Sequence, residues 1–109
     1  MLKKFIIERN IPGVGRSSEE QMREMAQKSN SVIAQLGTGI QWRESYVTDD
    51  KIYCVYMAEN KDLVKEHAKK AGFPADKISE INVVMDPTSE GQERFKPMTK
   101  ENITQTHMS

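Results

Sequence analysis

Three residues near the middle of the chain have side chains suited to chemistry: Glu44, Cys54 and His67. Cys54 is the single cysteine, and His67 is one of two histidines, the other being His107. Imidazole suits nickel, copper and zinc, and thiolate adds affinity for soft ions. One histidine and one cysteine do not close a structural zinc site, which takes four protein ligands. A carboxylate such as Glu44 or Glu66, or groups from a second subunit, would have to complete the shell. The plainer reading is packing. A cysteine in mid-strand behaves as a small hydrophobe. A histidine inside an apolar helical stripe is usually a core residue with one ring nitrogen on a hydroxyl, for which Ser45 and Tyr56 are candidates. Cys54 and His67 as a nucleophilic dyad lack an evident third group to orient them. Asp49 and Asp50 read as turn formers rather than as an acid–base pair. These readings lean away from an enzyme.

The elements that must position these residues follow from the period of the hydrophobic pattern. "LKKFIIER" reads as a strand. "IPGVGRSS" then sets glycines before a helix. Phosphates bind at helix N-termini, but the stretch lacks the parallel βαβ context and further glycines of a nucleotide fingerprint, so a turn is the simpler expectation. "SSEEQMREMAQKSNSVIAQLG" is helical, with Ser17 expected as the N-cap of a capping box closed by Glu20. Met22, Met25, Ala26, Ser29, Ile33 and Leu36 fall on one face of it. "GIQWRESYVT" and "KIYCVYMA" are strand-like and meet at Asp49-Asp50, a hairpin signal. "KDLVKEHAKKA" is a second helix, opened by Asn60 and closed by Gly72, with Leu63, Val64, His67, Ala68 and Ala71 as its apolar stripe. "ISEINVVMD" reads as the last strand.

The order β-α-β-β-α-β is the ferredoxin-like α+β arrangement, with two helices on one face of a four-stranded antiparallel sheet. An even-length hairpin turn pairs Tyr46 with Tyr53, Glu44 with Val55 and Trp42 with Met57 on one face. It pairs Val47 with Ile52, Ser45 with Cys54 and Arg43 with Tyr56 on the other. Both faces are partly apolar. We therefore expect the Val47, Ile52, Cys54 face under the helices, and the Trp42, Tyr46, Tyr53, Met57 face in a pocket or against a two-fold copy, in a dimeric α+β barrel-like assembly.

The chain has 109 residues with 16 basic and 16 acidic side chains. That balance gives no basic field for nucleic acid and no polybasic membrane patch. One cysteine excludes an internal disulfide, no apolar run reaches the ~20 residues of a membrane span, and the start is too short in apolar residues for a signal peptide. A cytoplasmic setting is the expectation. Residues 1–86 are expected to form the domain, and residues 87–109 an extended or disordered tail. In that tail Phe95, Met98 and Ile103 are candidates for pinning across a partner, and His107 is incidental.

"FIIERNIPGVG", "AQKSNSVIAQLG", "IQWRESYVTDDKIYCVYMAEN", "VKEHAKKAGFPADKISEI" and "VMDPT" together resemble a family of small bacterial proteins. The family is classed as a domain of unknown function and labelled nickel-binding or nickel-responsive. The likeness runs from about Phe5 to Thr88. It implies a ferredoxin-like homodimer that binds nickel or a related divalent ion at or near the dimer surface. By match, Trp42, Ser45, Tyr46, Cys54 and His67 carry the motif. Glu44 stands where relatives often have histidine, which would exchange a borderline nitrogen ligand for a hard oxygen. His67, Cys54 and Glu44 are therefore the expected metal ligands, with Ser45 and Tyr56 in support, in a divalent-metal protein of buffering or stress response. The rival expectation is a small-molecule pocket, or an active site, between the apposed sheets of the dimer, lined by Trp42, Tyr46, Tyr53 and Met57.

Overall fold

The structure, a computed structural model, describes residues 1–91. Strand β1 is Lys3–Asn10, helix α1 is Glu19–Leu36, strand β2 is Ile40–Val47 and strand β3 is Lys51–Ala58. Helix α2 is Lys61–Ala71 and strand β4 is Lys77–Glu80. The strands form one antiparallel sheet in the order β2-β3-β1-β4. This is the ferredoxin-like order expected from the sequence.

Phe5, Ile7 and Arg9 of β1 alternate inward with Ile52, Cys54, Tyr56 and Ala58 of β3, and all are buried. Val64, Ala68 and Ala71 of α2 are buried over this face, and Met25, Ile33 and Leu36 of α1 pack against the same cluster. Both helices thus cover the face that carries Cys54. Val32, absent from the expected α1 stripe, is buried with Ser29.

The connection after β1 is a turn, and its glycines serve geometry. Gly15 donates its N–H to Asp49 O at 2.9 Å, which holds the β2–β3 hairpin tip against this loop. A Cβ on Gly15 would come within 2.7 Å of Thr48 O and 2.8 Å of Asp49 Cα, so only glycine permits the approach. A short 3-10 turn at Val14–Arg16 follows, and its last N–H···O bond uses the Ser17 N–H. Ser17 therefore belongs to that turn. The N-cap of α1 is Ser18, and the reciprocal box is made with Gln21, one residue later than expected. Helix α2 is capped by Asn60, whose side chain accepts from Leu63 N at 3.0 Å, and it ends at Gly72 with φ +73°.

The β2–β3 register contains the main departure from expectation. Val47, Ser45, Tyr46 and Glu44 lie opposite Ile52, Cys54, Tyr53 and Val55, as an even turn requires. At Arg43 the register shifts, and Trp42 lies opposite Tyr56, with Gln41 opposite Met57. Arg43 is the extra residue of a β-bulge. The pairings Trp42–Met57 and Arg43–Tyr56 are thereby corrected, and Trp42 turns to the helix-covered side. Periodicity gives no warning of such an insertion, because each half of the strand alternates normally on its own.

Strand β4 is also shorter than the expected 78–86 run. Glu80 pairs with Phe5, and Ile81 N bonds to Lys4 O at 2.8 Å. The β1–β4 ladder ends there, although Lys3 and Lys4 of β1 continue beyond Phe5 and pair with β3 on their other edge. Residues Pro87–Gly91 form a short 3-10 turn in which Ser89 is buried. Phe95, Met98, Ile103 and His107 lie outside the described residues.

Candidate functional site

The buried groups that could do chemistry lie between the sheet and α1. Their organiser is Arg9, which sequence reading passed over. It is the third inward position of β1 after Phe5 and Ile7, and it is 1% exposed. Its Nη1 donates to Pro74 O at 2.6 Å, its Nη2 to the Tyr56 hydroxyl at 3.2 Å, and its Nε to Cys54 Sγ at 3.5 Å. The guanidinium also lies 5.4 Å from the centroid of the Phe73 ring. Cys54 Sγ accepts a second hydrogen bond from Ser45 Oγ at 2.9 Å, and Ser45 Oγ in turn accepts from Trp42 Nε1 at 2.9 Å. A continuous relay thus runs from Trp42 through Ser45 and Cys54 to Arg9 and Tyr56. The bulge at Arg43 brings Trp42 into it.

Burial pushes the Tyr56 phenol up to about 12. Tyr56 is therefore neutral at ordinary pH and supplies no negative charge to Arg9. His67 stands on the far side of Tyr56, with ring centroids 5.0 Å apart at 54°. It is wholly buried, and its Nε2 meets Ser29 Oγ at 3.1 Å, so the hydroxyl partner comes from α1 rather than from Ser45 or Tyr56. His67 Nδ1 has no hydrogen-bond partner among the described residues. Burial, and secondarily the charge of Arg9, lowers the His67 pKa below 6.5, which keeps the ring neutral. A proton on Nε2, donated to Ser29, leaves Nδ1 as a bare lone pair, which costs less to bury than an orphaned N–H.

The expected metal set is not assembled. Cys54 and His67 are both on the helix-covered side, whereas Glu44 pairs with Val55 and faces the opposite side of the sheet. Among the described residues no group of three or more His, Cys, Asp or Glu side chains could hold a metal ion. The Cys54 sulfur already accepts from a buried guanidinium. A divalent ion bound to it would sit beside a permanent cation in a poorly screened interior. The interior pair therefore does not fit nickel.

The expected pocket residues divide in the same way. Tyr46, Tyr53 and Met57 lie on the open face, where Tyr46 is 54% exposed and the other two are half-buried. Trp42 lies on the other side, where it helps line a cavity of about 130 Å³ with Arg9, Cys54 and Tyr56. That cavity is roofed by α1 through Met22, Met25 and Ala26, and it is not between two sheets. The signal that could have found Arg9 was present in "FIIER", where an arginine continues the inward alternation of Phe5 and Ile7.

A β2-β3-β1-β4 sheet with both helices on one side defines the ferredoxin-like class of α+β proteins. Within that class, the chain belongs to the family described as "Nickel responsive protein SCO4226-like", which matches residues 5–81. Among solved structures it is similar to that of SCO4226 from Streptomyces coelicolor A3(2), with a TM-score of 0.64 and 18% sequence identity. The likeness covers 75% of this chain and 99% of that chain. At that identity the likeness carries the fold alone. No curated protein matches.

Proposed function

We propose that the protein is a homodimeric, cytoplasmic, nickel-type divalent-metal-binding protein that buffers or responds to such ions. Two copies close through the open faces of their sheets, and the ion is held where they meet. The observation that carries this reading is the match to a nickel-responsive family across residues 5–81. The geometry supports the location. Both helices lie on the other side, leaving Ile6, Tyr53, Val55 and Met57 half-buried on a face that no described element covers. A sheet with an apolar, one-sided exposure gains by burying that face against a copy. Glu44 stands on the same face with no ion pair or hydrogen bond among the described residues, so a two-fold copy brings a second free carboxylate to it. Carboxylate oxygen is a harder ligand than thiolate, which widens the divalent ions such a site accepts.

Calorimetric titration of nickel into the metal-free protein tests the reading. Saturable binding is expected in wild type, weakened about tenfold or more in Glu44→Gln and unchanged in His67→Gln. A wild type that binds no nickel ends the proposal. Loss of binding in His67→Gln with none in Glu44→Gln would move the ion to the interior.

A further inference from the structure

Arg9 presents an unusual balance of charge. It is a permanent cation, 1% exposed, and no carboxylate among the described residues pairs with it. Its three hydrogen-bond partners among the described residues are a carbonyl, a neutral phenol and a sulfur. They engage three of its five N–H donors and leave one hydrogen on each terminal nitrogen. Buried charges in proteins are ordinarily paired, because a lone ion loses its hydration with nothing in return. Here the ion borders a cavity of about 130 Å³. The polar lining is mostly at the sheet, in Arg9, Ser45 and Tyr56, whereas the opposite wall is Met22, Met25 and Ala26 of α1 together with Ser29, whose hydroxyl is engaged by His67.

We propose that this cavity binds a small organic carboxylate, its carboxylate on the free N–H groups of Arg9 and its apolar body against the methionines of α1. Two features fix the class. A guanidinium with a donor left on each terminal nitrogen matches the two oxygens of a carboxylate. The volume approaches the ~150 Å³ in which an apolar protein cavity accommodates benzene, so the body is a single aromatic ring or a short branched chain. A hydrated dianion such as phosphate would leave most of its oxygens facing thioether and methyl groups without donors. Methionine suits a wall that must fit more than one such body, because its thioether chain is flexible and polarisable. This site is separate from the metal reading, lying on the opposite face of the sheet.

Trp42 lines the cavity and is the only tryptophan, so its fluorescence reports occupancy directly. Metal-free full-length protein is titrated with benzoate and isovalerate, and in parallel with benzamide and inorganic phosphate. Saturable fluorescence changes are expected for the two carboxylates, with benzamide and phosphate about tenfold weaker or silent. Arg9→Met should abolish the response to benzoate. Should that variant fail to fold, Ala26→Leu tests the same point, because it fills the cavity from α1 and leaves Arg9 in place. The proposal is overturned by no saturable response to either carboxylate, by benzamide or phosphate binding as tightly, or by undiminished benzoate binding in folded Arg9→Met or in Ala26→Leu. Since no nickel is present, none of these outcomes depends on the metal site.

Discussion

His67 is neutral because its surroundings leave a charged ring little compensation: complete burial, a neighbouring guanidinium, and one hydroxyl from Ser29. The sign of the pH dependence follows. The folded pKa lies below 6.5, so under acid conditions the unfolded chain takes up a proton that the folded one refuses. Stability is fully present above 6.5 and is lost as pH falls below it, by up to about 1.4 kcal/mol per pH unit until the folded pKa is reached. Urea unfolding at pH 7.5 and pH 5.5 should therefore show a larger loss for wild type than for His67→Gln. Equal losses would mean that the ring protonates in place. Ser29→Ala should destabilise by roughly 1–3 kcal/mol, because it strands both nitrogens of a buried imidazole. Thermal unfolding reads that directly.

At the scale of elements, the loop between β1 and α1 and the β2–β3 hairpin are held together through Gly15. Gly15→Ala pushes a methyl into the Thr48 carbonyl and should cost on the order of 1–3 kcal/mol, measurable by chemical denaturation. An unchanged midpoint would show the hairpin tip to be free to move. These elements were largely legible in the sequence. Asn60 and Gly72 bracket α2 as read, and Lys51–Ala58 is a strand as read. Local chemistry fixes both kinds of feature. What was illegible depends on contacts made at a distance. The Arg43 bulge exists because two strands pair out of step, and β4 ends at Glu80, where its ladder with β1 stops. The same limit governed the site. Cys54 and His67 were visible by type, but the separation of Glu44 and the entry of Trp42 both followed from pairing. The burial of Arg9 followed from its place on an inward face, whose meaning emerges only when the helices are laid over it.

For the whole molecule, the one-sided sheet is the governing feature. If two copies meet through the Tyr53, Val55, Met57 face, Val55→Lys sets a charge at its centre and like charges against each other across the two-fold. Sedimentation should then show wild type at twice the chain mass and Val55→Lys as a folded single chain. Wild type sedimenting as one chain at micromolar concentration would remove the assembly, and a metal site shared between copies with it.

The irregularity at Arg43 has an effect at the rim of the sheet as well as in its interior. Strand β2 is outermost, and an outermost strand ordinarily offers its unpaired amides as a template on which foreign chains add. A rung out of step breaks that template near its middle, and at the other rim β4 is only four residues long. Lateral growth into a continuous ribbon is therefore obstructed on both sides, so the pairing of copies proposed above would have to run through the open sheet face rather than along its edges.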